Sequence, residues 1–122
     1  MSFVKSTNII TDIALTVPGL TGGTNGRCVR INGTNTVTDA SSSDAAIQLN
    51  TVLFKIGDIY YAAGLIQGLS GLSPGSPYFI SSDGTPTATP PTPTSLVRTL
   101  YIGFAINTTD LVFRPGTPIS GT

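Results

Sequence analysis

The chain reads as all-β: a compact antiparallel β-sandwich or barrel-like domain built from hairpins, with an extended N-terminal arm. Three observations predict this class. Apolar and polar residues alternate with period two at several places, as in strands that bury one face. The pairs Asn32-Gly33, Gly57-Asp58 and Asp83-Gly84 stand between such runs and supply the positive φ that tight hairpin turns need. All six acidic residues are Asp, and there is no Glu or His, while Thr, Ser, Gly and Pro, which populate strands and turns rather than helix surfaces, are abundant.

Taken in order, residues 1–8 carry Phe3 and Val4 without a pattern and read as an arm. Residues 8–17 alternate, with Ile9, Thr11, Ile13, Leu15 and Val17 on the face expected to be core. Ile10 breaks that alternation and points to contact with another subunit. Residues 18–26 form a glycine-rich loop, but no Lys-Ser/Thr pair follows its glycines, so it lacks the pattern of a phosphate cradle. Residues 27–31 and 34–38 flank Asn32-Gly33 as a type I′ hairpin. Residues 45–49 fit a short strand or one helical turn equally well.

Residues 51–64 form the clearest hairpin, about a type II′ turn at Gly57-Asp58. Pairing around it sets Phe54 opposite Tyr61 and Ile56 opposite Ile59, with Val52, Phe54, Ile56, Ile59, Tyr61 and Ala63 on the core face. The other face, with Lys55 opposite Tyr60 and with Leu53 and Ala62 beside them, is half apolar and expects cover from another sheet or subunit. Ser73-Pro74-Gly75 is a further turn, and Asp83-Gly84 follows the strand at 77–81. Residues 97–106 read as a central strand, because small residues at Gly103 and Ala105 leave room for another backbone. Residues 107–110 turn the chain, 111–113 return beside it, and Arg114-Pro115-Gly116 end that strand. The whole is expected to be a single β domain over 1–122, with 1–8 as the arm and 117–122 as a loose C-terminal tail.

Charge narrows the function classes. Charged residues make up only 10% of the chain, against roughly 25% in an average globular protein. Six Lys and Arg cancel six Asp, so net charge does not keep the chain soluble, and its surface is uncharged polar or covered by partners. Lys5, Arg27, Arg30, Lys55, Arg98 and Arg114 are scattered, which argues against a nucleic-acid partner. The apolar runs are too short to cross a membrane, and Met1 to Lys5 lack the features of a secretory signal, so synthesis and folding in a cytoplasm are expected.

The same residues make catalysis unexpected. Without His or Glu, the acid-base candidates are Asp12, Asp39, Asp44, Asp58, Asp83 and Asp110, five of them in or beside turns where Asp bonds its own backbone. No Asp-x-Asp or Asp-x-Asn spacing gathers metal ligands in one loop, so neither a metal nor a cofactor is expected. Cys28 is single. The alternation of 27–31 makes it a small packed strand residue, although Arg27 and Arg30 beside it would favour a thiolate were it exposed.

One long stretch also carries a resemblance. Gly64-Leu65, Gly68-Leu69, Gly71-Leu72-Ser73-Pro74-Gly75, Pro77-Tyr78-Phe79, Ser81, Asp83-Gly84, Pro90-Pro91 and Ile102-Gly103-Phe104-Ala105 follow one another over somewhat under half the chain. This succession resembles a pattern in small β-structured virion proteins of tailed bacteriophages, which are capsid decoration (cement) proteins and modules of tail fibres. The link at 85–94 departs from it in its wealth of Thr and Pro, and leaves the partner of 77–81 open. The resemblance implies a structural protein made in the host bacterial cytoplasm and located on the virion. There it would bind the major capsid protein as a homo-oligomer, a trimer foremost, and stabilise the shell. A tail-fibre or receptor-binding module recognising a host surface is the alternative. Candidate partner-interface residues are Phe3, Val4, Ile9 and Ile10 in the arm region and Tyr60 on the half-apolar strand face.

Overall fold

A computed structural model describes residues 15–43, 52–94, 96–116 and 119–120. All the regular elements among them are strands: β1 Leu15–Thr16, β2 Thr21–Gly22, β3 Arg27–Gly33, β4 Thr36–Asp39, β5 Val52–Ile56, β6 Ile59–Ile66, β7 Pro77–Ile80, β8 Pro86–Thr87, β9 Arg98–Thr99, β10 Tyr101–Ala105, β11 Leu111–Phe113 and β12 Ile119–Ser120. Ten of them make one sheet ordered β2-β4-β3-β5-β6-β11-β10-β7-β8, with β1 also on β6, while β12 pairs with β9 apart from it. The sheet is mixed rather than purely antiparallel, because β2 runs parallel to β4, and it does not close into a barrel.

The clearest hairpin is formed as its sequence reads. Gly57 has φ 59°, and Phe54, Lys55 and Ile56 pair with Tyr61, Tyr60 and Ile59. β6 is the strand shared by the two halves of the sheet. Its first half pairs with β5 and β1, and from Gly64, at φ 114°, it pairs with β11. Only glycine adopts such a φ freely, so the chain bends there without strain. The halves then face each other across the core. Cys28 and Phe54 from the early strands meet Ile80, Leu100, Ile102, Leu111 and Phe113 from the late ones. The rings of Phe54 and Phe113 touch edge to face at 5.7 Å. Burying each such large side chain contributes roughly 1.5–3 kcal/mol.

The turn after β7 stitches the fold shut. β8 is the partner of β7, with Phe79 opposite Thr87 and Ile80 opposite Pro86. Between them the Gly84 carbonyl accepts the Cys28 N–H at 2.7 Å, and the Ser81 carbonyl accepts the Ser42 N–H at 3.1 Å. The turn between β7 and β8 is thereby bonded back onto β3 and onto the segment after β4.

Several sequence expectations are corrected. The first hairpin turns at Thr34 and Asn35, with Asn35 at φ 56°, while Asn32 and Gly33 stay in β3 around a bulge. The run 97–106 is split into β9 and β10, and Ile102 is an extra residue against β7. That bulge reverses the alternation, so Ala105 joins the core while Ile106 faces solvent. Leu15 and Ile59 are likewise exposed rather than core. Within the tail, β12 pairs with β9, so Ile119–Ser120 is tied rather than loose. The strand residues 8–14 and the segment 45–49 lie outside the described residues.

Candidate functional site

An apolar concavity lies where β6 is poorest in side-chain volume. Tyr61-Ala62-Ala63-Gly64 places three small residues in succession, and where Val or Leu would fill the space they leave a groove of about 620 Å³. Val17, Ile31 and Leu53 wall it, and Arg114-Pro115 stands at it just after β11. The surface is mostly aliphatic, and Ile31 is 43% exposed. Arg114 is the charged group of this lining, and the Arg27–Asp39 ion pair lies elsewhere.

Beside the groove the chain covers its own second face. Val17 and Leu20 pack with Val29, Val37, Leu53, Tyr60 and Ala62 as a second apolar cluster. The Tyr60 hydroxyl donates to the Gly22 carbonyl at 2.8 Å, and Lys55 Nζ donates to the Gly22 and Gly23 carbonyls at 2.9 and 3.2 Å. The Lys55 ammonium also stands 5.3 Å from the centre of the Tyr60 ring. Gly22 and Gly23, at φ 104° and 78°, let the loop fold this closely over the strands.

Tyr60 is thus only 4% exposed, sealed by residues of its own chain where the sequence led us to expect another sheet or subunit. Phe3, Val4, Ile9 and Ile10 lie outside the described residues. The groove itself was not anticipated. Its signal in the sequence is Ala62-Ala63-Gly64 within an otherwise bulky strand, together with an apolar Ile31 beside a turn.

The polar side chains serve the fold. Asp39 accepts from Thr24 N and Oγ1, each at 2.7 Å, and from Arg27 Nη1 at 3.4 Å. Asp83 accepts from Ser81 Oγ at 2.7 Å and from Thr85 N and Oγ1, and these bonds hold its carboxyl well below the ordinary carboxylate range. Asn107 and Thr109 lower Asp110 in the same way. Burial pushes the Cys28 thiol far above its ordinary value, so despite its Arg neighbours it is no thiolate. Among the described residues no three His, Cys, Asp or Glu side chains come together, and no helix is long and apolar enough to cross a membrane. Asp12 and Asp44 lie outside the described residues.

No protein-family model, curated protein sequence or solved structure matches this chain.

Proposed function

We propose that this protein is a capsid decoration protein that binds the outside of a phage head and stabilises the shell by burying surface across capsid subunits. The observation that carries the reading is a nearly uncharged β domain whose described Asp39, Asp83 and Asp110 are engaged in local structure, while Leu15, Ile31, Ile59, Leu96 and Ile106 remain exposed. Such a surface suits association better than acid-base chemistry, and this reading assigns the protein no catalysis and no cofactor. The resemblance of the segment from Gly64 to Ala105 supplies the phage context. An interface of ordinary size buries on the order of 800 Å² per partner, and repeated contacts from a symmetric oligomer make each harder to lose.

Binding by apolar burial and backbone hydrogen bonds depends weakly on salt, unlike a contact made by opposite charges. The experiment adds purified protein to heads assembled without it and measures occupancy and resistance to heat and osmotic shock. Saturable binding at low and high salt, with a sturdier shell, is expected. A second cleft of about 490 Å³, with Asp58 and Tyr61 among its lining residues, favours the receptor-binding alternative. Absence of binding to heads, with specific adsorption to host cells, decides for it.

A further inference from the structure

We propose that Asn32 is a site of self-modification by deamidation, in which the Gly33 nitrogen closes on the Asn32 side-chain amide and converts it to a carboxylate, while the fold holds off the same chemistry at Asn25. The proposal concerns the chain's own chemistry and stands apart from both functional readings.

The sequence contains two Asn-Gly pairs, Asn25-Gly26 and Asn32-Gly33. Glycine has no Cβ to screen its nitrogen, and its backbone turns freely enough to bring that nitrogen onto the preceding side chain. The Gly nitrogen gives its proton to solvent base and bonds to Cγ of the Asn. The Cγ–Nδ2 bond breaks, and Nδ2 takes up a proton from water and leaves as ammonia. Water then opens the five-membered imide at either carbonyl, giving Asp or, with the main chain rerouted through Cγ, isoaspartate. Amide and water become acid and ammonia, with no oxidant, metal or enzyme required.

The fold treats the two pairs differently. The Gly26 N–H donates to the Lys55 carbonyl at 2.8 Å, and Asn25 Oδ1 accepts the Gly57 N–H at 2.6 Å, so both residues are tied to the β5–β6 hairpin. The next residue, Arg27, pairs with Lys55, and Cys28 beyond it is fully buried. Bringing the Gly26 nitrogen onto Asn25 therefore requires parting β3 from β5 at its start.

Asn32 stands in the opposite setting. Residues 31–36 are all exposed, Gly33 and Thr36 form the last pair before the turn, and the bulge at Asn32 separates that pair from the rest of the β3–β4 ladder. Opening this pair uncovers no buried side chain, and such exposed ends are the first parts of a fold to open. Thr36 Oγ1 donates to Asn32 Oδ1 at 2.8 Å, a bond within the same exposed turn. Each Asn Oδ1 thus has a donor for the negative charge it takes up when nitrogen adds to Cγ, and the two sites differ in how freely the Gly nitrogen moves. Either product at Asn32 sets a carboxylate beside Ile31, a wall of the apolar groove, and takes the formal net charge of the chain from +0 to negative.

The test incubates the full-length protein in mildly alkaline buffer, folded and, in parallel, unfolded in guanidinium chloride, and then digests it with trypsin. Cleavage after Lys and Arg puts Asn25 in the peptide 6–27 and Asn32 in the peptide 31–55, and fragment masses locate the replacement of NH2 by OH. In the folded protein, acid at Asn32 is expected to accumulate at least about tenfold faster than at Asn25, where two hydrogen bonds to another hairpin must break first. In the unfolded chain the two sites should convert at comparable rates, which assigns the difference to the fold. Asn32→Ser should remove the acidic band that the folded protein develops on isoelectric focusing. Equal rates in the folded protein, conversion first at Asn25, or a difference that persists in the unfolded chain overturns the proposal, as does an acidic band that survives Asn32→Ser.

Discussion

Replacing Gly103 by Ala tests the centre of the sheet with a single methyl group. Gly103 has φ 148°, and a Cβ there would overlap the Val112 carbonyl oxygen and stand 2.9 Å from its carbon and 3.2 Å from Phe113 Cα. These are backbone atoms, so no rotamer change relieves the overlap and β11 must move. That strand pairs Phe113, Val112 and Leu111 with Gly103, Phe104 and Ala105, and it carries the ring that meets Phe54. A non-glycine residue in such a region costs about 1–3 kcal/mol. Overpacking adds about 1–3 kcal/mol, and the stiffer unfolded chain offsets at most about 1 kcal/mol. A net loss of about 3 kcal/mol is expected. With a urea m-value of about 1–3 kcal/mol/M, the unfolding midpoint by circular dichroism should fall by about 1 M or more. Gly116→Ala is the control, because Gly116 has no positive φ and its nearest neighbours would be 3.7 Å away or more. Its stability should stay within about 0.5 kcal/mol of wild type. Equal midpoints for the two variants would refute the close approach of β10 and β11.

Gly84→Val should destabilise by more than about 2 kcal/mol, since Gly84 has φ 92° and a Cβ would stand 2.8 Å from the Ala40 carbonyl oxygen. Gly33→Val, which lacks a positive φ and meets mainly the Thr36 hydroxyl, should cost clearly less; comparable losses of melting temperature would return the first turn to Asn32-Gly33. Because Asp83 has its pKa depressed in the fold, its stabilisation is full above the unfolded value near 3.8 and is lost as pH falls below that. Melting temperature should therefore drop more steeply below about pH 4 in wild type than in Asp83→Asn, and parallel curves would remove the carboxylate from the turn. The Cys28 thiol is sealed, so a thiol reagent should label it only as fast as the protein opens, and prompt labelling of the native state would contradict its burial.

What the sequence made legible, and what it hid, divides by the range of the interactions. The hairpin at Gly57 was readable to the residue because turn chemistry and alternation agree locally. The close approach at Gly103 was readable from small residues in a bulky strand. The turn at Asn35 was misplaced by two residues because Gly33 pairs with Thr36 of β4 beyond a bulge at Asn32, which keeps both residues in β3. The exposed Ile106 was unreadable for a related reason, since the bulge at Ile102 comes from the fit of β10 to β7. Around the candidate groove the concealment was greatest. No local pattern announces that a loop held by Gly22 and Gly23 folds over Tyr60, or that β2 lies parallel to β4.

The bond from Cys28 to Gly84 also governs the order in which the molecule can be made. Its partners are separated by more than fifty residues, as are Arg27 and Asp83 at the same junction. A ribosome releasing the chain at roughly 5–20 residues per second leaves β3 without that partner for seconds after it emerges. During that interval the apolar side of β3, β5 and β6 has no opposing half to close on. Domains dominated by such distant pairings fold in milliseconds to seconds rather than microseconds, so closure is expected to await the arrival of the late strands. Nascent chains stalled before Gly84 should accordingly be more sensitive to protease than chains stalled after β11.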